Sequence, residues 1–373
     1  LKAVVSLNCS GAFISSQGLV LTNHHCVRRL LAALAQEDLQ NGVQVDYLKT
    51  GFLAKTREEE RFAGPAHRVS VTKKIEDVTD QILIGSNSLA DPLKRSQSIE
   101  LQIKELVQAR EKANSKIKVE VKSFYRGTKY FLFEKVEFKD VRVVYAPPHQ
   151  TADFGGESDN YRWPRHNADF ALLRVYAGAN NEPDDFNEKN VPYIPEKHFL
   201  ISQDGIAEND LVLLAGYPGS TKRIAIAYEV QSEMFKVIPE NVAFLTSLKS
   251  LLVNLGEISD EMKIKTQALR YSINNQAQKN QKLLVALERI DFSNLTKAKQ
   301  EEFLQWASQS PGRYQELKAL LKGIKQVKRR FRSLDQDQTI PRLLLHVDLF
   351  ESAVNIVRMA QEREKPDSQR GLP

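Results

Sequence analysis

A chain of 373 residues that is 42% hydrophobic and 27% charged has apolar material for one large or two ordinary globular domains, which excludes a disordered polymer. No run of eighteen apolar residues is present to cross a bilayer as a helix. The net charge of +6 arises from 53 basic against 47 acidic residues, interspersed rather than gathered into one field, which argues against nucleic acid as a partner.

The N-terminus, LKAVVSLNCSG, has neither an initiator Met nor the charged start and cleavage region of a secretory signal. The sequence therefore reads as a fragment or a processed chain. Apolar runs Ala3 to Leu7 and Gly18 to Thr22 predict strands, the second preceded by the turn Ser15-Ser16-Gln17-Gly18. The only two cysteines, Cys9 and Cys26, flank this hairpin. Their placement favours a disulfide over two free thiols, and a disulfide would mean an oxidising compartment.

Helical spacing of Ile99, Ile103, Leu106 and Val107 predicts a helical excursion near 90–115, after which Ile117, Val119 and Val121 alternate as a strand. Strand character continues at Tyr130 to Phe138, Val141 to Tyr145, Phe170 to Tyr176 and Leu211 to Ala215, the last stopped by Gly216-Tyr217-Pro218-Gly219. From Pro239 onward breakers become sparse. Val242 to Leu255 and Leu343 to Met359 carry helical periodicity, and so does the stripe Leu317, Leu320, Leu321, Ile324, Val327 and Phe331. The basic run Lys325 to Arg332 beside that stripe reads as a solvated helix face. The ending KPDSQRGLP is polar and breaker-rich, like a linker. The organisation expected is 1–238 mainly strands, 239–365 a helical domain, and 366–373 a linker.

Thr22-Asn23-His24-His25-Cys26 closes the second strand. Histidine suits general-base work because its pKa lies near neutrality and one ring nitrogen accepts a proton while the other is held. Asp169 opens the strand Asp169-Phe170-Ala171-Leu172-Leu173-Arg174-Val175, where a carboxylate is able to orient such a base. Each residue alone has a bland reading, as a polar strand end or a turn residue. Histidine before aspartate is the chymotrypsin order. The Gly-x-Ser-Gly turn that would follow is absent; only Ser220, in Gly219-Ser220-Thr221, has an adjacent glycine. Zinc ligation by His24 and His25 is disfavoured, because neighbouring strand residues point apart and no HExxH or Cys/His cluster accompanies them. No metal or other cofactor is expected.

These segments resemble the S46 family of bacterial dipeptidyl-peptidases. The resemblance is carried by Cys9-Ser-Gly with Gly18-Leu-Val-Leu-Thr-Asn-His-His-Cys26, and by Phe154-Gly-Gly-Glu-Ser-Asp-Asn-Tyr-Arg-Trp-Pro-Arg-His-Asn-Ala-Asp169-Phe. Similar too are Asp46 to Phe52, Ile75 to Thr79, Val141 to Pro148 and Gly216 to Arg223. It implies a β plus α fold, a chymotrypsin-like (trypsin-like) double β-barrel, incomplete here, with an inserted all-α cap domain.

The same resemblance implies a serine exopeptidase that releases dipeptides from the free N-terminus of peptides, in the periplasm, at the cell surface or secreted, and allows a homodimer. His25 would be the base and Asp169 its partner. Asn160 and Tyr161 would hold the substrate's amino terminus, Tyr161 standing where tryptophan is usual, with Asn275 or Asn274 contributed by the helical domain. Trp163, Pro164, Arg165 and His166 read as a rigid turn delivering Asp169. The serine, the oxyanion hole and the side-chain pocket would belong to a second barrel half beyond residue 373. The chain alone would then hydrolyse nothing. Alternatives of another class are a non-catalytic peptide-binding protein and an endopeptidase.

Overall fold

The computed structural model describes residues 2–219, 225–337, 348–366 and 370. Ser220, the first part of the helix expected over 343–359, and most of the segment 366–373 lie outside them. By internal contacts the chain divides into one unit of Leu1–Gly155 and His166–Ser220, and another of Gly156–Arg165 and Thr221–Pro373. The helical unit thus begins before residue 239, and it includes ten residues from within the strand-rich half.

The first unit is built on an antiparallel sheet. Its strands are β1 (Val4–Ser6), β2 (Ser10–Phe13), β3 (Leu19–Thr22), β4 (Phe52–Leu53), β5 (Arg61–Phe62), β6 (Val69–Asp77), β7 (Lys118–Phe124), β8 (Lys129–Phe138), β9 (Val141–Ala146), β10 (Ala171–Ala177) and β11 (Val191–Pro192). The order is β4-β9-β10-β3-β2-β1-β6-β8-β7, with β11 pairing β10 and β5 pairing β9. The expected turn joins β2 to β3. Gly18 sits there at φ +69°, and a Cβ would lie 2.5 Å from the Val175 carbonyl oxygen, so no other residue fits that approach.

Alternation along the strands puts Val5, Phe13, Val20, Val71, Val143, Leu173 and Val175 into one core. Helix α1 (His24–Gln40) buries Val27, Leu30, Leu31 and Leu34 in that core, the i, i+3, i+4, i+7 face of a helix. This helix begins at His24, within the Thr22–Cys26 motif expected only to close a strand. The short α2 (Tyr47–Thr50) and α3 (Thr79–Leu83) follow. The predicted excursion is α4 (Pro92–Ala113), started by Asp91, whose side chain accepts from the backbone N–H groups of Leu93 and Lys94. Its stripe Ile99, Ile103, Leu106 and Val107 packs on a second core of Val78, Ile82, Val119, Tyr130 and Leu132. Beyond β9 lies the short α5 (His149–Ala152).

One strand expectation is overturned. Leu211 to Ala215 belongs to no strand, and Leu211 and Leu213 are each 90% exposed, because no described backbone pairs with this segment. Apolar sequence supplies strand propensity, but a strand forms only against a partner.

The second unit is helical: α6 (Gly156–Asp159), α7 (Ala227–Ser232), α8 (Ile238–Ile258), α9 (Asp260–Arg289), α10 (Phe292–Ser308), α11 (Pro311–Asp337) and a further helix, Asp348–Arg363. A turn of π-helix, Glu233–Val237, joins α7 to α8. The basic run on α11 is largely exposed, as expected, and some of its cations find partners. Lys328 pairs with Glu229 at 3.2 Å, Arg332 donates to Ser232 at 2.8 Å, and Lys325 lies 5.2 Å over the Tyr228 ring. Among the described residues no helix is long and apolar enough to cross a membrane.

Candidate active site

The sheet register brings His25 and Asp169 together. β3 and β10 pair Leu19 with Arg174 and Thr22 with Ala171, so two steps further along that ladder Asp169 stands level with the first residue of α1. There the chain turns from strand to helix at Asn23, whose extended backbone suits an N-cap. Its side chain does not cap its own helix. Instead Asn23 Nδ2 donates to the Asp169 carbonyl at 3.0 Å and, at 3.4 Å, to Oδ2.

Asp169 supplies the cap from 144 residues away. The backbone N–H of His25 donates to Asp169 Oδ1 at 3.0 Å, and His25 Nδ1 lies 2.7 Å from Asp169 Oδ2. One carboxylate thereby satisfies an orphan donor of the first helical turn and fixes the imidazole through its Nδ1 edge. The His25 side chain is 53% exposed and that of Asp169 28%, which leaves the base open to solvent above a half-buried acid. Burial pushes the Asp169 carboxyl up, but the two hydrogen bonds from His25 and the nearby imidazoles outweigh it and hold the acid below its ordinary pKa. It remains an acceptor at neutral pH, as an orienting group must.

Cys26, next to His25, is joined to Cys9 by a disulfide closing a 17-residue separation. This ties the start of α1 to the loop between β1 and β2. Cys9, His25 and Cys26 are also the one group of potential metal ligands brought within reach of a common point among the described residues. Both sulfurs are bonded to each other, so no thiolate remains to hold an ion.

The helical unit gathers the other sequence-identified residues. Asn160 Nδ2 donates to Asn275 Oδ1 at 2.8 Å, and Arg165 Nη1 donates to Asn160 Oδ1 at 3.0 Å. Lys282 Nζ donates to the Asn160 carbonyl. Asn275 is therefore the asparagine that meets Asn160, whereas Asn274 is buried and accepts from Lys249. Tyr161 stands at φ +57° with its ring half exposed, and Trp163 is fully exposed. Asn23 went unrecognised in the sequence, although an N-cap residue type just before the spacing Val27, Leu30, Leu31 and Leu34 marks a helix start.

Compared with known protein families, residues 1–372 match Peptidase S46. The chain belongs to that family. This S46 chain is 31% identical, over its whole length, to an Asp/Glu-specific dipeptidyl-peptidase of Shewanella putrefaciens, of which it covers 49%. It is 35% identical over 79% of its length to dipeptidyl-peptidase 7 of Phocaeicola vulgatus, covering 40% of that protein. A solved structure of Porphyromonas endodontalis DPP11 in complex with substrate superposes with a TM-score of 0.75 at 30% identity, over 94% of this S46 chain and 50% of the other. The S46 chain thus spans about half the length of the curated relatives it matches.

Proposed function

We propose that this chain carries the base and its orienting acid of a serine-type dipeptidyl-peptidase that releases dipeptides from the free N-terminus of peptides. The observation that carries the reading is the double hydrogen bond of Asp169, one oxygen on the His25 backbone N–H and the other on the ring. It holds Nδ1 as the donor, which leaves Nε2 as the proton acceptor for an attacking hydroxyl. The carboxylate then stabilises the imidazolium as it forms.

The hydroxyl belongs, in this reading, to a serine in the polypeptide that follows residue 373, within a second barrel that completes a chymotrypsin-like fold around an inserted helical cap. Membership of a family whose relatives are named dipeptidyl-peptidases, and are twice as long, supports this. Asn160, Tyr161 and Asn275 hold the substrate's α-ammonium. Neutral carbonyls beside an aromatic face accept an ammonium without burying a permanent countercharge. The Asn160 backbone carbonyl already accepts one ammonium, that of Lys282. The Cys9–Cys26 disulfide favours a periplasmic, cell-surface or secreted location, and a homodimer completes the proposal.

The test uses the protein extended by the polypeptide found in the longer relatives, with a free-amine dipeptidyl substrate and its N-acylated counterpart. Turnover of the first and not the second is expected, with His25→Ala reducing kcat by about 10⁴-fold or more. Equal turnover of both substrates would make it an endopeptidase. Binding of the free-amine peptide without turnover would make it a non-catalytic peptide-binding protein.

A further inference from the structure

Beside His25 and Asp169 lie two imidazoles that the proton transfer leaves unused, His24, which is buried, and His149, whose side chain is 39% exposed with its Nε2 3.9 Å from Asp153 Oδ2. His24 is 1% exposed, and its ring stacks on that of His149 with centroids 5.9 Å apart and planes at 22°. The stack joins three pieces of chain. His24 opens α1, His149 opens α5, and in α5 the Thr151 carbonyl accepts the N–H of Ala168, the residue before Asp169, at 3.1 Å. Base, acid and stack are thus parts of one junction. His24 Nε2 and His149 Nδ1 are both buried and hydrogen-bond no protein group. A hydrocarbon ring would pack there without orphaned nitrogens, so packing alone does not call for imidazole.

We propose that His24 and His149 are a positioning pair for the His25–Asp169 dyad, and that their stack holds only while the buried His24 ring is neutral. The proposal rests on the hydrolytic reading of that dyad. Facing His24 are Arg28 and His25 from α1, His149 from α5, and Asp169 from the segment before β10. Burial and then His149 disfavour a proton on His24, and only Asp169 favours one. A proton that does reach His24 draws the Asp169 carboxylate away from the His25 ring and leaves a buried, poorly solvated charge in the stack. Turnover on the acid side is then lost through two protons, one on His25 and one on His24.

The experiment uses the extended protein and the variants His24→Ala, His24→Phe and His149→Ala. It reads kcat and KM against pH, together with the low-field proton resonance of the His25 Nδ1–H bonded to Asp169. His24→Ala and His149→Ala are expected to lower kcat about tenfold to a hundredfold with KM little changed, and to lose the low-field resonance. His24→Phe, which keeps a stacked ring but cannot ionise, is expected to keep the resonance and most of kcat at neutral pH, with an acid limb of slope one instead of two. Wild-type kcat and resonance in His24→Ala, or a slope of two in His24→Phe, would overturn the proposal. If His24→Ala does not fold, His24→Phe and His149→Ala decide. A protein without peptidase activity whose resonance still disappears in His24→Ala would sink the hydrolytic reading and leave the positioning pair standing.

Discussion

Asp169 holds an imidazole with one oxygen and a helix end with the other, and the two roles separate on substitution. In Asp169→Asn the amide oxygen still accepts the His25 backbone N–H, but the amide nitrogen now donates toward Nδ1. That selects the wrong tautomer, and kcat is expected to fall by about 10⁴-fold while the fold survives. Stability carries its own signature. The folded Asp169 carboxyl sits below its ordinary pKa, so its stabilisation is fully present above the ordinary carboxylate value and is lost as pH falls through the depressed one. Urea unfolding at pH 7 and pH 3 is expected to show a smaller difference for Asp169→Asn than for wild type; an equal difference would remove Asp169 from the acid response. His25 and Asp169 were legible because their neighbouring residues form long motifs. Asn23 was not, since its partner is 146 residues away and only the β3–β10 register reveals it.

The elements that deliver the dyad share one buried anchor. Glu60, whose side chain is 3% exposed, takes Arg174 Nε on both oxygens at 2.9 and 3.1 Å and the Tyr176 hydroxyl at 2.8 Å. Arg174 also donates to the Gln17 carbonyl at 2.7 Å, so β10 is fastened to the β2–β3 turn behind the site. Burial, followed by the bond to Glu60, pushes the Tyr176 hydroxyl up to about 12. Glu60→Leu leaves the Arg174 charge buried without its partner and is expected to cost about 3–5 kcal/mol by urea unfolding. Glu60→Leu with Arg174→Met is expected to cost less than the single change. A single-variant loss below about 1 kcal/mol would mean that water solvates Arg174 as it does a surface ion pair. Most elements here were readable from periodicity, α4 and β8 above all, because each buries one face against a core made of its own neighbourhood. Helix α1 was overlooked although Val27, Leu30, Leu31 and Leu34 spell its face, since a strand-end histidine motif overlaps its first turn.

At the scale of the molecule, the segment Leu200 to Leu214 marks where local sequence and described structure part. Leu200, Ile201, Ile206, Leu211, Leu213 and Leu214 are all strongly exposed, yet both ends of the segment are fastened. The Phe199 N–H donates to the Phe13 carbonyl at 2.8 Å, and Tyr217 donates its N–H to Ser10 Oγ at 2.7 Å while its hydroxyl meets Thr72 Oγ1 at 3.0 Å. Its last part, Leu211 to Leu214, is a continuous apolar run, the pattern of a strand covered on both faces, and such exposed apolar surface is unusual on a free monomer. The proposed second barrel would supply that cover, so the fate of one leucine tests it. In the 373-residue chain Leu213→Asp removes no burial and is expected to change unfolding free energy by less than about 0.5 kcal/mol. In the protein extended beyond residue 373 the same change would bury an unpaired carboxylate, and it is expected to cost about 3 kcal/mol or more in urea unfolding and to lower turnover with it. Equal, small effects at both lengths would show that this segment faces water in each, and the second barrel would then have to be built without it.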